Sequence, residues 1–280
     1  MTVPWPEHHA STVAMTEIVY RHDAIGTRHA SIGDATPRIV SLVPSVTELL
    51  CDLGLAPYLV GRTGFCIHPK NSLERIPKVG GTKDVNIEKI RRLAPTHLIV
   101  NIDENEKPCV DQLAQFVPNV IVTHPKTLND NLELFDLLGG IFNAHDQAQK
   151  LIQRFHEAMA SLQANLPSPL PLRRVLYCIW KDPWMTVSDS TYIADVLATI
   201  GWQVIHQGPV RYPVFSWDES LVQDLDLVLL SSEPYRFTEA HVDALERQIG
   251  KPVQLVDGEM MSWYGSRSIA GIDYLRTLLA

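Results

Sequence analysis

Cysteine is scarce in this 280-residue chain: four residues, at positions 51, 66, 109 and 178, with no CxxC pair among them. That spacing implies neither a zinc ribbon nor a disulfide framework and predicts reduced thiols. Basic charge is also in short supply, with 24 lysines and arginines against 32 aspartates and glutamates and a net charge of −8. Phosphate binding needs clustered cations, so no nucleic acid partner is expected. The one tight basic group, Lys89, Arg91 and Arg92, reads as the solvated face of a helix. No apolar run reaches the roughly 18 residues of a membrane span, so the chain is expected not to span one. Met1 to Ala14 lacks the basic start and apolar stretch of a signal peptide. As it stands the chain is expected in the cytoplasm, and in the periplasm only if its true start lies upstream. GxSxG, the P-loop lysine motif, GxGxxG and HExxH are all missing, and Gly80-Gly81 is too short for a phosphate loop. No enzyme and no catalytic residue is therefore expected.

What is present is an alternation of strand and helix patterns, which predicts an α/β protein with parallel sheets flanked by helices. Arg38 to Ser45 reads as a buried strand, with Ser45 as N-cap and Glu48 closing a capping box over helix 46–53. Strand 58–61, helix 87–93 capped by Asn86, strand 97–101, helix 107–116, strand 120–123 and helix 128–139 follow. The centre of the chain carries the longest pattern, Asp146 to Leu166. There Ala148, Leu151, Ile152, Phe155, Ala158, Met159 and Leu162 make one apolar stripe at steps of three and four. Asn143 or His145-Asp146 is the expected cap of this helix, and the prolines from Pro167 to Pro171 stop it. Beyond it the order repeats: strands at 174–180, 203–206, 225–231 and 253–256, and helices at 191–200, 219–223, 238–248 and 268–279. Glu88 to Val100 and Glu219 to Leu230 match in kind, which suggests a duplication. The predicted domains are an N-terminal extension with a possible hairpin (1–37; strands 16–20 and 28–32), an N-terminal lobe (38–142), a bridging helix (143–171) and a C-terminal lobe (172–280).

Arg38-Ile-Val-Ser-Leu-Val-Pro-Ser-Val-Thr-Glu, Val60-Gly-Arg-Thr, Val79-Gly-Gly, Asn86-Ile-Glu-Lys-Ile and Leu93-Ala-Pro-Thr-His-Leu-Ile-Val stand in this order before the midchain helix. Together they resemble the substrate-binding proteins of ABC importers, of the helical backbone metal receptor type that takes vitamin B12, haem or ferric siderophores. The nearest likeness is to the cobalamin-binding branch. The resemblance implies two lobes joined by one long backbone helix, a ligand cleft between them, and little closure. It further implies a monomer with no covalent cofactor, whose small metal-bearing ligand is a corrinoid such as cobalamin or otherwise haem or a ferric siderophore. In such importers an exposed glutamate on each lobe meets the membrane permease, and Glu88 and Glu219 stand at the matching positions. The other readings are a cytosolic cofactor-handling enzyme and a ligand sensor on the same scaffold.

In open parallel sheets ligands bind beyond the carboxyl ends of the strands. The loops there carry the expected ligand-binding residues: Ser45, Arg62, Phe65, Cys66, His68 and Asn101 in the first half, and Trp180, Trp184, Tyr212, Trp263, Tyr264 and Arg267 in the second. Trp180, Trp184, Trp217 and Trp263, with Tyr212, Tyr235 and Tyr264, suit a large flat ligand; the alternative is that some of them plug the sheet edge. Arg267 suits a carboxylate or phosphate, unless it pairs with Glu259 or Asp257. Cys66 and His68 are two metal ligands at most, and His124 or His206 would have to complete a set, so no protein metal site is expected. Asp103, Glu104 and Glu106 read either as an acidic rim or as a solvated turn.

Overall fold

The computed structural model describes residues 19–206 and 208–279. The chain opens with an antiparallel hairpin of β1 (Tyr20–His22) and β2 (Arg28–Ala30); Thr16 to Ile18 of the predicted first strand lie outside the described residues. The N-terminal lobe follows as β3 (Ile39–Ser41), α1 (Pro44–Asp52), β4 (Leu59–Arg62), α2 (Lys70–Leu73), α3 (Ile87–Leu93), β5 (His97–Asn101), α4 (Lys107–Ala114), β6 (Asn119–Thr123) and α5 (Asp130–Ile141). Its four strands are parallel in the order β4-β3-β5-β6. All five residues of β5 are buried, as expected of a strand with helices over both faces of its sheet. The hairpin lies on the open edge of β6. Ala24 N–H donates to Val122 O, and Val122 N–H donates to the Asp23 carboxylate, 2.9 and 3.0 Å. Backbone groups that would otherwise be unpaired are thus satisfied.

Next comes α6 (His145–Asn165), 21 residues and so about 32 Å long. Its stripe of Ala148, Leu151, Phe155 and Leu162 is buried against α5 on one side and, on the other, against the last helix of the chain. Gly139 makes the first contact possible, since a Cβ there would sit 2.5 Å from that of Ala148. The expected side-chain cap is absent. The helix starts after Ala144, while Asn143 takes a left-handed φ of 54° and spends its amide on Gly33 O, 2.7 Å.

The C-terminal lobe consists of β7 (Arg173–Trp180), β8 (Met185–Thr186), α7 (Tyr192–Ala198), β9 (Trp202–Val204), α8 (Glu219–Gln223), β10 (Leu227–Ser231), α9 (Glu239–Ile249), β11 (Val253–Val256), α10 (Gly258–Ser262) and α11 (Arg267–Leu278). The parallel order β9-β7-β10-β11 repeats that of the first lobe, which supports the predicted duplication. So do the helix starts: Asn86 accepts from Lys89 N–H and Asp218 from Leu221 N–H, each at 2.8 Å. The added β8 runs antiparallel to the end of β7. At two residues it is too short for any periodicity to announce it. One apolar core runs from Leu49 and Phe135 through Phe155 to Tyr192 and Ile272, so α6 stitches the two lobes into a single body.

Candidate functional site

The carboxyl ends of both sheets meet along a seam whose floor is closed by the segment between α10 and α11. Gly265, at φ +79°, lies over α1, where an added Cβ would be 3.2 Å from that of Leu49. Its N–H donates to the fully buried Asn131 Oδ1, 2.6 Å. Asn131 in turn donates to Leu128 O and Tyr192 O–H, 2.8 and 3.0 Å. One amide therefore ties α5 of the first lobe to α7 and the 265 turn of the second. Leu128 N–H, donating to Asp195 at 2.7 Å, adds a further strap.

Charged pairs line the seam above this floor. Arg267 forks onto Glu48, with Nε to Oε2 at 2.7 Å and Nη2 to Oε1 at 2.6 Å, and its Nη1 lies 3.1 Å from Glu259. His68 Nε2 reaches the same Glu259, 3.0 Å away, and its ring meets Trp263 edge-on at 5.6 Å. On the other side Asp103 Oδ2 accepts from Arg211 Nη2 at 2.8 Å and from Tyr212 O–H at 3.2 Å, with His124 beside it. Tyr264 O–H donates to Glu104, and Trp263 Nε1–H to Glu233 at 2.6 Å. Burial, with Glu233 and Asp103 adding their charge, pushes the Glu104 carboxyl up to about 7 against the donated Tyr264 bond. Burial likewise raises Glu233 and lowers His124.

Several predicted site residues are accounted for differently. Ser45 is no N-cap: Pro44 takes the first helical position, where its fixed φ fits, so Ser45 is buried in the first turn and Glu48 is free to pair with Arg267. Cys66 is fully buried between the Thr47 and Thr63 hydroxyls, 3.0 and 3.1 Å, with its thiol pushed up by burial. It offers no surface to a ligand. Arg62 is buried as well and spends its guanidinium on the carbonyls of Leu73, Thr63 and Cys66. Asn101 shapes its own turn, accepting from Asp103 N–H and donating to Thr123. Trp184 plugs the sheet edge, stacked on Phe237 at 5.8 Å and edge-on to Trp217. Arg267 follows the pairing alternative. Of the acidic run, Asp103 and Glu104 bond across the seam, and Glu106 stays exposed ahead of α4. No group of three or more His, Cys, Asp or Glu suited to a metal ion occurs among the described residues.

The mouth of the seam keeps His68, Phe65, Tyr212 and Trp180, while the predicted Trp263 and Tyr264 are buried beneath it. Phe65, Ile67 and Ile102 on one lobe and Trp180, Val210 and Val214 on the other are exposed apolar side chains, all at or beyond the carboxyl ends of strands. Sequence reasoning missed Glu48, Asn131, Arg211 and Glu233. Only Glu233, in the strand-end string Ser231-Ser232-Glu233-Pro234, carried a local signal, a polar turn directly after an apolar run.

Residues 39–248 match the family model described as periplasmic binding protein. The vitamin B12-binding protein of Photorhabdus laumondii is 25% identical over 202 residues, 72% of this chain and 73% of its own length. Among solved structures, the periplasmic vitamin B12 binding protein of Vibrio cholerae superposes with a TM-score of 0.70 at 22% identity, covering 87% of this chain and 96% of that one. The apo periplasmic heme-binding protein of Roseiflexus sp. RS-1 reaches 0.74 at 20% identity, covering 87% and 97%. With a family match over most of its length and a single long helix stitching two like-ordered sheets, this chain belongs to the periplasmic binding protein family, in its helical backbone metal receptor type.

Proposed function

We propose that the protein is the solute-binding component of an ABC-type uptake system and that its ligand is a metal-bearing corrinoid, held at the seam between the lobes. The observation that carries this reading is the set of exposed apolar side chains, Phe65, Ile67, Ile102, Trp180, Val210 and Val214, at the strand ends of both lobes. Such a set suits a broad, rigid ligand with a hydrophobic edge. The vitamin B12-binding relatives favour a corrinoid over haem or a ferric siderophore.

Delivery to a permease requires the chain to stand outside the cytoplasmic membrane. Glu88 and Glu219 are both exposed. Each starts a helix that runs back into a parallel strand, α3 into β5 and α8 into β10, so each stands on the strand-end side of its lobe. Glu219 borders a groove of about 470 Å³ lined by Trp217, Val222 and Ile249. These features support docking through the two glutamates; the competing reading is that each carboxylate merely favours its helix start. Absorption and mass spectra of the purified protein with cobalamin, haemin and ferric siderophores test the ligand. A corrinoid bound in one-to-one ratio, with tryptophan quenching, is the expected result, and haem retained in preference would overturn it. Glu88→Ala with Glu219→Ala should abolish permease association at unchanged ligand affinity.

A further inference from the structure

Resting on the reading that the seam holds a metal chelate, we infer that it is charge-selective: it accepts chelates with a neutral or cationic periphery, such as the amides of a corrinoid, and rejects those bearing free carboxylates or other anions. The inventory of groups at the seam carries this. The two guanidiniums that cross the seam each face a carboxylate, Arg267 with Glu48 and Glu259 and Arg211 with Asp103. The imidazole of His68 also rests on Glu259. Of the other cations nearby, Lys181 pairs with Asp182 at 2.9 Å, and Lys126 and Arg236, which have no ion pair among the described residues, stand exposed on the surface outside the half-buried groups. Glu104 and Glu233, by contrast, receive only neutral donors, the hydroxyls of Tyr264 and Ser262 and the indole N–H of Trp263.

An incoming carboxylate therefore meets, among the half-buried groups of the seam, no guanidinium without a carboxylate partner, and it faces acids that have no counter-charge. A primary amide in the same place donates N–H to those acids and suffers no repulsion. Because the site is sheltered from water, each uncompensated charge has a larger effect than it would on an open surface. The burial that pushes Glu104 and Glu233 up reflects the same lack of cations.

The test is a binding series at pH 8, followed by tryptophan quenching, on the full chain and its Glu104→Gln, Glu233→Gln and double variants, each checked to be folded by a single cooperative melting transition. Two probe pairs of opposite periphery are used: dicyanocobinamide against haemin, and ferrioxamine B against ferric enterobactin. The first member of each pair should bind at least about tenfold more tightly, and each glutamine should narrow that ratio by about tenfold. Haemin or ferric enterobactin binding as tightly as its counterpart, or a ratio unmoved in the double variant, overturns the inference. Binding of ferrioxamine B without dicyanocobinamide would sink the corrinoid reading while supporting charge selection. Absence of binding by all four would sink both.

Discussion

Glu48 on α1 and Arg267 at the start of α11 form a two-pronged ion pair from lobe to lobe, at 2.7 and 2.6 Å, with most of both side chains out of solvent. Removing the arginine leaves Glu48 and Glu259 facing one another with no cation between them. Arg267→Ala should therefore destabilise the chain by about 2 to 4 kcal/mol, more than an exposed ion pair is worth. Arg267→Lys should restore only part, because an ammonium cannot fork. Urea denaturation midpoints measure both, and a loss under about 0.5 kcal/mol for Arg267→Ala would show that the pair does not hold the seam.

Glu104 gives stability a slope with pH. Its ordinary value near 4.5 rises to about 7 in the folded chain through burial, with Glu233 and Asp103 adding to the shift and Tyr264 opposing it. The protonated form is favoured on folding, so its contribution is complete below the ordinary value and is lost as pH rises through about 7. Glu104→Gln should be the more stable form at pH 8 by on the order of a few kcal/mol, an advantage that disappears at pH 4. Melting curves across that range check it; parallel slopes for the two proteins would exclude it.

His97 acts in the opposite direction. Burial, with the charge of nearby His29 adding to it, lowers this imidazole from 6.5 to about 4, and its ring lies edge-on to Phe142. Its stabilising contribution is present above the ordinary value and is lost as pH falls through the folded one. Replacing it by glutamine should flatten the acid limb of the stability profile between pH 6 and 4. If both limbs keep their shape, His97 is not the group responsible.

Asp103 holds the loop that carries Val210 and Arg211 against the other lobe. Asp103→Asn keeps the shape of the side chain but loses the charge that Arg211 meets. Amide exchange in residues 208–214 should accelerate by about tenfold, the equivalent of roughly 1.4 kcal/mol of local opening. The β5 amides should keep their protection. Unchanged exchange in the loop would mean that Asp103 does not latch it.

Because α6 packs on α5 and α11 at once, ligand binding should leave the scattering profile almost unchanged. A shift of several ångströms in radius of gyration would contradict this. Within that helix Phe155, 1% exposed, is the residue whose truncation to alanine should be most damaging, by about 3 to 5 kcal/mol.

The local signals were legible where a cap and an apolar run coincide. Asn86 ahead of Ile87–Leu93, the run His97 to Asn101, and the helix Glu219–Gln223 all fall at their expected bounds. The midchain helix was readable from its stripe alone. The seam was not, because pairing depends on which strand ends face each other across 100 to 200 residues of chain. Nothing local to Glu48 points to Arg267, and nothing local to Asn131 points to Gly265. Cys66 and Arg62 were misplaced for a related reason. A loop residue chosen for its chemistry gives no hint that its own loop folds over it, as the carbonyls of Thr63, Cys66 and Leu73 do here.

The amide of Asn131, sealed from solvent and bonded to three backbone or side-chain partners in two lobes, fixes the outline of the molecule before any ligand arrives. Any membrane partner of the proposed carrier would then gain little from its silhouette in telling a laden one from an empty one. The message has to be written in the texture of the rim, in which loops are held down and which aromatic edges are covered. Selection on such a carrier would act on the handful of side chains around its mouth.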